Sequence, residues 1–382
     1  MVDKRKIVWI ATLWKRYILT NYGSFFQHYA LQKYLRRLNC IPLRLPDPLE
    51  HYGIEYLLRT LIGNLMRSSE ETKNLQVSRW RVFQEGVREI VRMWRALRQY
   101  HKLIGDERVK IEPSENDVFV SGSDQVWTGI DSRSWGDDVP PRMRRVSYAA
   151  SADWFACKRN DLWMKKASER LARFSAISIR EQEGVNLVNQ LIPGHTNIFH
   201  AVDPVFLLNR EEYNALLPRK RIFNRPTIFC YFVNIHTYAA GLMKRIKELA
   251  DSHKMDVKVC AIQNAQFYIP QSLQIQVSPC DFLRCIRDAD YVITNSFHGT
   301  AFCCIYKKDF LVIEQTNLPL QDQNVRQREL LRELELDDHL VDLTTLSELT
   351  PVTWSGTKFE GRVSLSKNWL KEKMTNLGGV NA

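Results

Sequence analysis

Residues 278–300 read SPCDFLRCIRDADYVITNSFHGT. The first half predicts a helix. Ser278 suits the N-cap, Pro279 the first helical position and Asp281 the first turn. Phe282, Leu283, Ile286 and Ala289 then fall on one face. Tyr291 to Thr294 reads as a buried strand, and Asn295 to Gly299 as the turn into a further helix. Helix, strand, turn, helix is the unit of a parallel α/β sheet. In open sheets of this kind ligands bind beyond the carboxyl ends of the strands. His298 falls at such an end and also at a helix N-terminus, where free N–H groups and the helix dipole attract anions. A histidine so placed exchanges a proton with its ligand near neutral pH; the bland alternative is a histidine satisfied by local hydrogen bonds. Ser296, Gly299 and Thr300 in the same turn are candidates for holding the anion.

Working outward, the same alternation predicts strands at 227–234, 256–262, 291–295 and 310–315, with helices at 238–253, 279–289 and 299–307. Upstream it predicts a strand at 6–13, a turn at 20–24 and a helix at 25–38. Strands at 117–121, 145–150 and 174–179 follow, with helices at 160–173 and 181–191. Pro218 to Pro226, basic and bounded by prolines, reads as a linker. The expected architecture is two α/β, Rossmann-like domains facing a cleft: residues 1–210, with a helical insert at about 52–104, and residues 211–382. The insert is rich in Arg, Leu and Trp and predicts two or three amphipathic helices. Leu377 to Ala382 reads as a frayed tail.

Composition narrows the class. The chain has 382 residues, 45% apolar and 25% charged, with a net charge of +11. No apolar run approaches the ~20 residues of a membrane span. The run Ile7 to Leu13 follows a Lys/Arg cluster but lacks a small-residue cleavage site, so it reads as a first strand and the expected location is cytoplasmic. Eight cysteines show neither metal-ligand spacing nor a disulfide framework, so no metal site is expected. The positive charge favours phosphates, anionic lipid surfaces or nucleic acid. No RNP-like, zinc-finger or helix-turn-helix signature is present, and nucleic acid is not expected. The basic, amphipathic run Arg79 to Arg98 reads first as a solvated face packed on a core. The sharper alternative is peripheral contact with an anionic membrane surface or a lipid-linked acceptor.

Three further segments carry candidate chemistry. Asn21, Gly23 and Ser24 form a strand-to-helix turn, Gly23 permitting close backbone approach to a ligand; a plain turn is the alternative. Arg180 ends a strand and points towards the same crevice, where its guanidinium suits a carboxylate or phosphate; pairing with Glu181 or Glu183 is the alternative. In VSGSDQVW (120–127), Asp124 and Gln125 are polar groups near the cleft and Trp127 offers a flat face to a sugar. A helix cap at Ser123 or Asp124 competes with that reading.

Together these segments resemble the polysaccharide pyruvyl transferase family. NYGSFFQHYAL (21–31) looks like its N-terminal signature. VSGSDQVW (120–127), SIREQEG (178–184) and VDPVFLL (202–208) match its middle, and DADYVITNSFHGTAF (288–302) its C-terminal block. The resemblance implies a bacterial enzyme with a glycosyltransferase-B-like fold and phosphoenolpyruvate as co-substrate, with no separate cofactor. The product would be a cyclic pyruvate ketal on a sugar of a surface polysaccharide. It also implies that His298 is the catalytic acid/base and that Arg180 helps bind the donor. Some members carry Arg two residues before that histidine, where this chain has Ser296, so donor gripping falls to other residues. Two further readings compete: a nucleotide-sugar-dependent glycosyltransferase of the same fold, and a non-catalytic anion-binding subunit of a polysaccharide assembly complex.

Overall fold

The computed structural model describes residues 5–12, 21–45, 78–105, 111–130, 133–195, 198–233, 235, 239–262, 265–314, 324–355 and 357–375. In strand β1 (Lys6–Ala11), Val8 and Ile10 enter one apolar cluster while Trp9 and Ala11 enter another. A strand buried on both faces belongs to a parallel sheet layered by helices. The first series continues with α1 (Tyr22–Arg37), β2 (Cys40–Arg44), α2 (Arg79–Leu103), β3 (Val118–Ser121) and β4 (Arg144–Ser147). Then come α3 (Trp154–Lys158), α4 (Asp161–Leu171), β5 (Ile177–Ile179), α5 (Gln182–Leu191), β6 (Ile198–His200) and α6 (Arg210–Asn214). The strands lie in the order β2-β1-β3-β4, all parallel. Parallel bridges from Val146 to Ala176 and from Ala150 to Ile179 continue that sheet into the parallel pair β5-β6.

The second series is β7 (Thr227–Val233), α7 (Ala239–Ser252), β8 (Asp256–Ile262), α8 (Pro279–Asp288), β9 (Tyr291–Thr294), α9 (Phe297–Tyr306), β10 (Phe310–Ile313), α10 (Val325–Glu333), β11 (Leu340–Val341) and α11 (Thr357–Thr375). Its parallel sheet has the order β11-β10-β9-β7-β8. Side chains alternate strictly: Ile228, Cys230 and Phe232 face one layer, Phe229 and Tyr231 the other. The fold is therefore α/β, with two helix-covered parallel sheets, and β7, β8, β9, α7 and α8 lie within a residue of where the sequence predicts them.

Several features depart from the sequence reading. Helix α9 begins at Phe297 rather than 299, because Ser296 is extended and caps it. Strands β2, β6 and β11 and helices α10 and α11 were not anticipated; the strands are too short to show a period. The described part of the insert is the single long helix α2, and residues 52–77 lie outside the described residues, as does the expected tail. The basic stretch 218–226 is tied down: Arg221 Nη2 donates to Asp288 O (2.7 Å), Ile222 N to Asp288 Oδ2 (2.8 Å), and Phe223 is buried against Phe229.

Two helices join the sheets. Tyr22, Phe25, Phe26 and Tyr29 of α1 enter the cluster that holds Tyr231, Phe282 and Phe302, whereas Leu31 and Leu35 enter the one that holds Val8 and Val118. The Tyr22 hydroxyl donates to Val277 O at 2.6 Å. Helix α11 follows the second sheet yet packs on the first: Leu370 and Met374 join Val8 and Val118, and Trp369 stacks on Phe199 at 5.5 Å. Residues 357–375 thus cross the division at 210/211. Among the described residues no helix is long and apolar enough to cross a membrane.

Candidate active site between the two sheets

The turn from β9 into α9 is built by short polar side chains. Ser296 N donates to Thr294 Oγ1 (3.1 Å), and Ser296 Oγ accepts from Gly299 N (3.3 Å). A Cβ on Gly299 would lie 2.4 Å from Thr294 Oγ1, so only glycine lets the turn close. His298 is thereby held in the first turn of α9, only 4% exposed. Its ring lies against the start of α1 from the other unit: a Cβ on Gly23 would stand 2.1 Å from Nδ1. The close approach expected of Gly23 is therefore made, but to His298.

His298 Nε2 lies 3.5 Å from Asp203 Oδ2. That exceeds an ordinary hydrogen bond, and Nε2 is buried without a hydrogen-bond partner among the described residues. Asp203 follows β6. Its Oδ1 accepts from Val205 N (3.0 Å) and its Oδ2 from Arg180 Nη1 (2.8 Å), with Ser123 Oγ 3.3 Å from Oδ2. Arg180, just past β5, also donates from Nε to Glu181 Oε1 (2.7 Å) and from Nη2 to Ser151 Oγ (3.0 Å), and lies 4.5 Å from the centre of the Phe297 ring. Ser24 donates to Asp124 Oδ2 at 2.6 Å, joining two expected site residues a hundred positions apart.

Charge is concentrated here away from water. Burial alone would raise the Asp203 pKa, but His298, Arg180 and the Val205 amide outweigh it and hold the carboxyl below the usual range. Asp124 is lowered in the same way, burial being outweighed by His298, Arg180 and the Ser24 hydroxyl. Burial would lower the Arg180 pKa; Glu181, Asp203 and Asp124 raise it instead. A histidine beside an ionised, oriented carboxylate can take up and deliver a proton.

Arg180, Glu181 and Asp203 of this cluster also face open space. A narrow hollow is lined by Arg180, Asp203, Phe297, Arg326, Glu329 and Arg362 among others. A second shares Glu181 and Arg326 with it and adds Gln125 and Asp153. Burial, with Arg180 adding to it, lowers the Arg326 pKa. Burial likewise lowers Arg362, to about 10. Arg362 also pairs with Glu333. His200, Glu329 and Glu333 lie close enough to share a cation, yet His200 Nε2 already meets Arg180 O at 2.9 Å and Glu329 accepts from Gln182 N at 2.6 Å.

The remaining expectations divide. Asn21 caps α1, accepting from Gly23 N (3.0 Å) and Ser24 N (3.4 Å), and Thr300 Oγ1 donates back to Ser296 O (3.1 Å). Trp127 is a correction. It is fully buried, its indole stacks on Trp135 at 5.0 Å, and its N–H donates to Ser134 O, so it offers no face to a sugar. No helix follows Asp124 directly; Ser123 donates to Ala149 O instead of capping one. For Arg180, the alternative of a Glu181 pair is present, with Asp203 as a second carboxylate. Sequence reasoning did not assign Asp203, Arg326, Glu329 or Arg362. Arg326, Glu329, Leu330 and Glu333 recur at helical spacing on α10, a signal legible only once that helix is recognised.

The family model described as polysaccharide pyruvyl transferase matches residues 21–317. The chain belongs to the polysaccharide pyruvyl transferase family. Among curated proteins no significant match is found. Among solved structures the chain is similar to the S. aureus MnaA-UDP co-structure (TM-score 0.47, 11% identity, 96% of this chain and 97% of that one). It is also similar to UDP-GlcNAc 2-epimerase from Neisseria meningitidis bound to UDP-GlcNAc (0.45, 8%, 97% and 99%) and to Acinetobacter baumannii MurG (0.35, 11%, 97% and 93%).

Proposed function

We propose that this chain moves the pyruvyl unit of phosphoenolpyruvate onto two hydroxyls of a sugar, free or lipid-linked, with His298 as the proton-transfer group. The observation that carries the reading is the buried His298 Nε2 facing Asp203, whose carboxylate lines a hollow together with Arg180, Arg326 and Arg362. Phosphoenolpyruvate carries a carboxylate and a phosphate, and guanidinium groups hold both by paired hydrogen bonds. Arg326, set where the two hollows meet, and Arg362 take the gripping role that Ser296 cannot.

In this reading the terminal enol carbon gains a proton from His298, and one sugar hydroxyl attacks the central carbon. Phosphate leaves, the second hydroxyl attacks the same carbon, and the ketal closes. Of the two hydroxyl protons, one restores His298 and the other leaves with hydrogenphosphate. The chemistry balances without redox change, and fixed positive charge supports the departing phosphate. Asp203 acts by stabilising the charged form of the imidazole.

The test is thermal stability with millimolar phosphoenolpyruvate, free phosphate and UDP-sugars. A ligand at 100 times its Kd stabilises the folded state by about 2.7 kcal/mol. The expected result is a rise with phosphoenolpyruvate exceeding that with phosphate, lost in Arg326→Ala. His298→Ala is expected to remain folded, with a melting temperature lowered by the cavity it leaves, and to lose roughly 10²–10⁴ in turnover. A rise with a UDP-sugar alone, or near-normal turnover in folded His298→Ala, overturns the assignment.

A further inference from the structure

Helix α2 carries a second apolar face that the core does not use. Its inner side buries Val82, Met93, Ala96 and Tyr100, together with Glu85 and Arg92. The helix is fixed to the second unit by Arg81 Nη2 donating to Ile269 O (2.9 Å) and Gln99 Nε2 to Ser278 Oγ (2.9 Å). On the outer side Trp80, Phe83, Val87, Val91 and Trp94 are all exposed, Trp80 by 66% and Trp94 by 49%. Their spacing of three and four residues places them in one stripe, about 21 Å long at 1.5 Å per residue. Scattered exposed apolar residues are ordinary; a continuous stripe with two tryptophans is not.

The charges are sorted as well. At 100° per residue Glu85 and Glu89 fall on the inner half of the helix. Glu85 pairs with Arg88 and Glu89 with Arg92. The outer half carries no acidic residue. Exposed Arg95, Arg98 and Lys102 lie beside the stripe, and the Arg98 guanidinium sits 4.7 Å over the Trp94 ring. Arg98 and Lys102 also border an open hollow against Ser278 and Asp281. An outward apolar stripe with tryptophans, flanked within the helix by positive charge alone, is the pattern of a helix that lies in the plane of a membrane interface. Trp prefers the headgroup level and the basic rim meets anionic headgroups. The arginines within α2 and its limited apolar character keep it from crossing the bilayer.

We propose that the outer face of α2 docks this protein on an anionic lipid surface, with Trp80 and Trp94 entering the interface and Arg95, Arg98 and Lys102 contacting headgroups. This inference rests on α2 alone and is independent of the donor or acceptor of the reaction.

The test is co-sedimentation of the full chain with vesicles of phosphatidylcholine, with and without about 30% phosphatidylglycerol, at low and high salt. Binding is expected to the anionic vesicles only, to weaken with salt, and to fall at least tenfold in both Trp80→Ser/Trp94→Ser and Arg95→Glu/Arg98→Glu. These residues are exposed, so the melting temperature and the phosphoenolpyruvate response of both variants should match the parent. Absence of binding to anionic vesicles, or binding that the variants leave unmoved because the stripe is covered by the chain itself, overturns the proposal. A dimer in vesicle-free solution that Trp94→Ser dissociates also overturns it, assigning the stripe to a second copy.

Discussion

Glycine 23 and histidine 298 lie in different units and far apart in sequence, yet each requires the other's shape. Alanine has the better helix propensity by about 1 kcal/mol, so on an unobstructed α1 the exchange would stabilise. Here the new methyl meets the imidazole at 2.1 Å from Nδ1. Gly23→Ala is therefore expected to destabilise by about 1–3 kcal/mol through overpacking. It should also lower kcat on the order of 10²-fold by displacing His298; melting and steady-state kinetics of the one variant read both. This contact was half legible. The strand-turn-helix setting marks Gly23 and His298 separately as site positions, whereas their meeting depends on how two sheets pack. Trp127 shows the opposite error: an aromatic beside a polar turn looks available for sugar stacking until a second tryptophan, Trp135, is found covering it.

At the scale of the element, α1 carries a polar ladder on an otherwise buried helix. Arg36 Nη2 donates to Gln32 Oε1 (2.9 Å), which orients the amide so that its Nε2 meets His28 Nε2 at 3.2 Å. His28 Nε2 must then accept, which places the proton on Nδ1 and makes the ring neutral. Burial, aided by Arg44 and Arg36, lowers the His28 pKa to about 3. A histidine whose folded pKa is depressed contributes stability above its unfolded pKa of about 6.5 and loses it as pH falls below that value. Between pH 6.5 and pH 5 the loss from this group is about 2 kcal/mol. Denaturant titrations across that window are expected to show it, and His28→Gln should flatten the slope. The sequence shows Gln27, His28 and Gln32 as a polar face and so suggests solvent; they are buried because α1 is packed from both sides. Periodicity found the helix but not its second partner. In contrast, the Ser278 cap with Pro279 and Asp281 in the first turn was readable, since a cap is local, although the return bond from Asp281 was not.

For the whole molecule, the alternation of strand and helix was enough to give two parallel sheets, and several family signatures span a strand's carboxyl end and the helix after it. What alternation could not show is the return of α11 to the first sheet, because a helix pattern does not state which sheet it covers. Leu370, Met374 and Phe359 are all buried, and Ser366 Oγ accepts from Val202 N at 3.1 Å. Burying each of the three large side chains is worth about 1.5–3 kcal/mol, a sum comparable to the whole stability of an ordinary domain, about 5–15 kcal/mol. A chain ended after residue 356 is expected to lose its cooperative melting transition, while one ended after Thr375 keeps it, as circular dichroism on heating would register.

The crossing of α11 also sets an order on biosynthesis. The residues of the first sheet leave the ribosome well before 357–375 do. At about 5–20 residues per second the interval is on the order of ten seconds or more. Through that interval Tyr148 and Phe199 lack the Trp369 ring that covers them in the folded chain. The first unit is therefore expected to complete its packing only after the last helix has been made, not domain by domain during translation.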